Sequence, residues 1–155
     1  MNSVTSISIS RVLVATALLL SVSISHAEIA QRIVGGNVAQ DGDYPWMSLV
    51  LITPSSSFCG ATLVGKQWVL TAAHCANKVV GVPSLVYEPS EITVFPGLFD
   101  LTKRNAVGPV EVVEVFVHPD FRFGPGGEPI NDAALLKLST PQDLPTLAIA
   151  DAPVM

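Results

Sequence analysis

The sequence predicts an all-β fold, either a small closed barrel or a sandwich. Three observations lead there. Six short segments rich in aliphatic and β-branched residues are separated by loops carrying glycine or proline. No stretch of useful length shows the 3.6-residue period of a helix. The chain has 155 residues, enough for one domain at most.

The elements follow in order. WMSLVLIT, Trp46–Thr53, reads as the first strand, and PSSS after it as a turn. FCGATLV, Phe58–Val64, returns, and a short turn at Gly65-Lys66-Gln67 leads to Trp68–Leu70. ITVF, Ile92–Phe95, is the fourth candidate. VEVVEVFV, Val110–Val117, is the fifth, and it breaks strict alternation because Glu111 and Glu114 are three apart. A β-bulge or an edge position accommodates that spacing. AALLKL, Ala133–Leu138, is nearly continuous and apolar, so it is expected to be buried on both sides. FGPGGEPI, Phe123–Ile130, reads as a plain loop. No internal repeat or low-complexity tract interrupts the series.

The N-terminus has a different character. Arg11 precedes the apolar stretch Val12–Ile24, and Ser25-His26-Ala27 puts small residues at the positions a signal peptidase inspects. Residues 1–27 therefore read as a secretory leader cleaved after Ala27. The apolar run is shorter than the roughly 20 residues a membrane span needs, so no membrane association is expected once the leader is gone. The expected location is extracellular, or periplasmic in a bacterium. Secretion bears on Cys59 and Cys75, the only two cysteines. In an oxidising compartment they are expected to form a disulfide rather than remain two thiols. The chain-entropy model gives a bridge over so short a loop about 3 kcal/mol.

The net charge is −5 and basic residues form no cluster, so nucleic acid is not an expected partner. Removing the leader leaves His74 and His118 as the only histidines, and no CxxC spacing exists. No metal and no cofactor are expected.

Two short motifs carry chemistry. Arg32 followed by Ile33-Val34-Gly35-Gly36 suits cleavage after a basic residue, though IVGG alone reads as an ordinary turn before a strand. TAAHC, residues 71–75, delivers His74 beside a cysteine at the end of an apolar strand-like run, WVLTAA. Taken alone, His74 is a packed structural histidine and Asp132 a turn residue.

In sequence, RIVGG at 32–36, GDYPWM at 42–47, FCGATLVGKQWVLTAAHC at 58–75 and NDAALLKL at 131–138 resemble the trypsin-like (chymotrypsin-fold) serine endopeptidases. The resemblance runs from about Arg32 to Leu138. It implies a six-stranded antiparallel Greek-key barrel, the N-terminal one of that fold's two barrels. It implies that His74 is the general base and that Asp132 orients it. A serine hydroxyl is a poor nucleophile at neutral pH, and an imidazole near its own pKa can take the hydroxyl proton. A carboxylate fixes the imidazole tautomer and stabilises the imidazolium. The resemblance also implies that cleavage between Arg32 and Ile33 activates a zymogen, which makes residues 28–32 a short propeptide. An activating protease and protein or peptide substrates are then the expected partners. A cysteine pair matching Cys59 and Cys75 is common in the family. Some members bind calcium in a loop matching Gly97–Val107, but Asp100 is the only carboxylate here, so calcium is not expected.

The family's serine lies in a Gly-Asp-Ser-Gly-Gly segment well after the aspartate. No such segment occurs within residues 1–155. Ser139 follows Asp132 on the same strand without a glycine-rich turn, and reads as a strand-end residue. The second barrel is therefore expected to be missing, along with the oxyanion hole and specificity pocket. Residues 33–155 would be the N-terminal half of a peptidase domain, inactive alone, with an apolar patch exposed where its partner is lost. The alternative is a non-catalytic single-barrel binding or regulatory module, which has no need of an intact His74 and Asp132.

Overall fold

The structure, a computed structural model, describes residues 35–78 and 85–150. The expected leader, the propeptide and the Arg32–Ile33 pair lie outside the described residues. The chain divides into two compact units, Met1–Val38 and Ala39–Met155. Of the first, residues 35–38 are described, and they form no helix or strand.

The second unit is a closed antiparallel barrel. Its strands are β1 (Met47–Ile52), β2 (Ser57–Gly65), β3 (Trp68–Thr71), β4 (Ile92–Pro96), β5 (Val110–Val117) and β8 (Ala134–Leu138). A separate two-stranded ribbon pairs β6 (Arg122–Phe123) with β7 (Pro129–Ile130). The barrel order is β1-β2-β3-β8-β5-β4, and β1 closes it by pairing with both β2 and β4. β8 is laid down last, between β3 and β5, which gives the Greek-key path. All six predicted strands are present, each within about two residues of its expected ends.

Alternation explains why these segments form a barrel. Val50 and Ile52 on β1, Ala61 and Leu63 on β2, and Val69 on β3 point inward at period two. Ile92, Val94, Val112, Leu136 and Leu138 complete the same core. β5 contains a bulge, the first of the two accommodations its glutamate spacing allowed. Val112 pairs with Leu138 and Glu114 with Lys137, so Val113 is the extra residue. The bulge keeps Val112 inside while both glutamates face out.

β8 departs from expectation. Ala134, Leu136 and Leu138 are buried, but Leu135 and Lys137 are only half-buried. Lys137 is not an interior residue. Its ammonium lies 5.9 Å from the Trp68 ring centroid and pairs with Glu114. Strands β1 and β4 are the ones covered on both faces, because Leu49, Phe95 and Leu98 form a second apolar cluster outside the barrel.

The predicted plain loop at 123–130 is also more ordered than expected. Its tip is held by Gly124 N–H donating to the Glu128 carbonyl at 2.8 Å and Gly126 N–H donating to the Glu128 carboxylate at 2.9 Å. These bonds let β6 and β7 pair despite the prolines.

Candidate active site

β3 and β8 run antiparallel in register, with Thr71 opposite Ala134. Asp132 sits just before the start of β8 and His74 just after the end of β3. One rim of the barrel therefore receives both residues, although they are 58 apart in sequence.

The strand does not carry His74 the whole way. β3 ends at Thr71, Ala72 is extended, and Ala73–Ala76 is a single helical turn that holds the histidine. A four-residue turn is too short to leave a periodic signal, so WVLTAA looked continuous. The turn is fixed from three sides. Ala73, Cys75 and Ala76 are buried. Thr71 Oγ1 donates to the Gly60 carbonyl at 3.0 Å, tying the end of β3 to β2. Cys59 on β2 and Cys75 in the turn form a disulfide, as expected.

Asp132 meets this turn with both carboxylate oxygens. Oδ2 lies 2.7 Å from His74 Nδ1, and Oδ1 accepts from the His74 backbone N–H at 2.8 Å. Burial pushes the Asp132 carboxyl up, but the His74 N–H, the imidazole contact and the Ala73 N–H together hold it below its usual value. The side chain of Asp132 is 19% exposed and that of His74 51%. The carboxylate is thus sheltered while the imidazole reaches the surface.

This geometry has a chemical consequence. A carboxylate only accepts hydrogen bonds, so a neutral imidazole beside it must carry its proton on Nδ1. Nε2 then holds a free lone pair. Among the described residues, Asp132 is the only hydrogen-bond partner of the His74 ring. An imidazole held this way can accept a proton at Nε2 from a hydroxyl brought to it. Ser139 is not such a hydroxyl in this arrangement. It follows the far end of β8, where its N–H donates to the Glu111 carbonyl at 2.9 Å. Extended chain puts it roughly 20 Å from the Asp132 end.

The backbone donors of Ala73 and His74 escaped sequence reasoning, since every residue type offers the same N–H. Cys59, His74 and Cys75 bring three metal-ligating atoms within 4.8 Å of one another. The two sulfurs are bonded to each other and offer no thiolate, so the donor set does not suit zinc. In the loop at Gly97–Val107, Asp100 accepts from Thr102 N–H and Oγ1, which commits its Oδ1 to a local cap. No helix among the described residues is long and apolar enough to cross a membrane. An apolar groove of about 380 Å³ lies on the outer wall beside the site, lined by Leu70, Phe116, His118 and Leu135 among others.

Known proteins resemble this chain in sequence and in fold. The family model described as Trypsin matches residues 33–153. Vitamin K-dependent protein C of Rattus norvegicus is 35% identical over 118 residues, which cover 76% of this chain and 23% of the relative. Coagulation factor XI of Bos taurus is 32% identical, over 73% of this chain and 17% of the relative. Among solved structures, the secreted serine protease VesC from Vibrio cholerae superposes with a TM-score of 0.60 at 30% identity, over 75% of this chain and 23% of VesC. The chain thus spans a quarter or less of the length of these proteins. The match extends from the first isoleucine of IVGG past the end of the barrel, and it makes this chain a member of the trypsin-like serine protease family.

Proposed function

We propose that this chain is the N-terminal part of a secreted serine endopeptidase made as a zymogen. In this reading His74 is the general base and Asp132 the residue that orients it. The observation that carries it is the two-point grip of the Asp132 carboxylate on His74, at 2.7 Å to Nδ1 and 2.8 Å to the backbone N–H. A merely structural histidine needs no such tautomer control, and it has no reason to present Nε2 at an exposed rim.

The remaining parts follow from the same reading. Residues 1–27 direct secretion, and VesC, itself described as secreted, supports that assignment. Residues 28–32 are removed by a protease that cuts between Arg32 and Ile33. The substrates are proteins or peptides. The serine nucleophile and its oxyanion hole come from a region outside residues 1–155, so these residues alone do not hydrolyse peptides. The placement of Ser139 at the far end of β8 supports this part.

The coding sequence after Met155 provides the test. An open frame containing a glycine-flanked serine should yield a product that an alkyl fluorophosphonate labels at that serine. His74→Ala should abolish labelling, and the 155-residue chain alone should take up no label. A stop codon directly after Met155, with a secreted product of this mass, would refute the reading in favour of a non-catalytic barrel module. So would labelling at any residue from 33 to 155.

A further inference from the structure

The residue preceding Asp132 has an unusual backbone. Asn131 has φ +55°, in the left-handed region, one of two described non-glycine residues with positive φ. Such a conformation is disfavoured for most side chains, and asparagine is among the few that visit it routinely. Its position in the network gives it a purpose. The Ala133 N–H donates to the Asn131 carbonyl at 2.9 Å, closing a three-residue turn with Asp132 at its centre.

Both flanks of that turn are tied to a second one. Asn131 Nδ2 donates to the Asp120 carbonyl at 3.2 Å, and the His118 N–H donates to the Ala133 carbonyl at 2.9 Å. The 118–121 turn is itself anchored. Phe121, 1% exposed, plugs into the molecule, and its N–H donates to the His118 carbonyl at 3.0 Å. Residues 131 and 133 are thus pinned to one body, while the carboxylate between them engages Ala73–Ala76.

We propose that Asn131 is a positioning residue whose left-handed backbone, pinned by Nδ2 to the Asp120 carbonyl, aims the Asp132 carboxylate at His74. The inference rests on the reading of His74 and Asp132 as base and orienting partner. The Asn131 side chain bonds to the Asp120 carbonyl, while the His74 ring bonds to Asp132, so Asn131 acts through Asp132. An extended residue at 131 would redirect the chain entering Asp132 and weaken both contacts to His74.

Amide hydrogen exchange and carboxyl titration by NMR test this on the secreted, disulfide-bonded chain. Asn131 is exposed, so truncating it opens no buried cavity. Asn131→Ala should lower protection of the His74 amide about tenfold, equivalent to roughly 1.4 kcal/mol, the cost of the left-handed conformation. The Asp132 carboxyl should titrate closer to the ordinary carboxylate value. Asn131→Gly, which adopts positive φ freely, should restore His74 protection to within about threefold of the natural chain. The Val69 and Leu136 amides should hold their protection in all three proteins.

Three results would overturn the proposal. His74 protection in Asn131→Ala could stay within about twofold of the natural chain. Core and His74 amides could fall together in proportion, which marks general destabilisation. Asn131→Gly could fall as far as Asn131→Ala, which removes the backbone argument. None of these readouts depends on hydrolysis. An extended chain without peptidase activity would therefore sink the proposed function and leave the role of Asn131 to be decided here.

Discussion

Replacing Cys59 and Cys75 together by alanine tests how the rim that holds His74 is kept in place. The bridge spans 16 residues, from β2 to the helical turn. Cross-linking a loop of that size removes about 10 cal/mol/K of entropy from the unfolded chain, or about 3 kcal/mol at room temperature. A domain of this size gains only 5–15 kcal/mol on folding in the general case, so roughly a third of the total is at stake. Alanine avoids burying a hydroxyl in place of Cys75, which is 7% exposed. The assay is urea unfolding followed by tryptophan fluorescence, since Trp46 packs on the barrel core and Trp68 on the outer wall. With a slope of roughly 1.5 kcal/mol/M, the midpoint should fall by about 2 M. Reducing the natural chain should give a similar drop. A fall of under about 0.5 M in both experiments would refute the reasoning, because the unfolded chain would then gain little freedom from the cut.

Other perturbations probe separate parts of the structure. Leu136→Ala, at a fully buried position in mid-barrel, should cost about 2–5 kcal/mol in the same urea assay. Thr71→Val removes the bond to the Gly60 carbonyl and should cost about 1 kcal/mol, with the loss of amide protection concentrated where β2 meets the end of β3. Gly97→Ala should cost about 1–2 kcal/mol by thermal unfolding. Gly97 has φ +72°, and a new Cβ would lie 3.0 Å from Leu144 Cδ1. Acid should act through Asp132. Its carboxyl is held below the ordinary value, so its contribution to stability is present above the unfolded carboxyl pKa and is lost as pH falls through the folded one. The stability difference between the natural chain and Asp132→Asn should shrink on acidification below about pH 4, as read from urea midpoints.

Much of the barrel was legible because strand alternation is written into the sequence. The aliphatic and β-branched runs at Trp46–Thr53 and Ile92–Phe95 announce strands directly, whereas the inward face of Leu136 and Leu138 did not show in a run read as nearly continuous and apolar. The spacing of Glu111 and Glu114 pointed to a bulge or an edge position, since a charged side chain resists being turned inward, and the β5–β8 register decides for the bulge. What stayed hidden depends on partners distant in sequence. Lys137 looked buried because its neighbours are apolar, yet Glu114 and Trp68 draw it to the outer wall. The β6–β7 ribbon relies on Glu128 folding back onto Gly124 and Gly126, a contact that glycine and proline content conceals. At the site, residue types and motifs pointed to His74 and Asp132. Their contact depends on the β3–β8 register, which no local pattern encodes. The left-handed backbone of Asn131 was not read from the sequence, and its side chain's partner, the Asp120 carbonyl, is a group every residue type offers.

The insertion of β8 between β3 and β5 also orders events in time. Hairpins β1–β2 and β2–β3 join neighbouring segments and can form early. Asp132 reaches His74 only when the chain has returned across 58 residues and β8 has found its slot. Contacts of such separation come late, because loop closure must be met before they stabilise anything. A half-folded chain can therefore display complete hairpins and still carry an ordinary, solvated histidine. The Asp132-bound form of His74 is in effect a certificate of barrel closure, withheld until the last strand is in place.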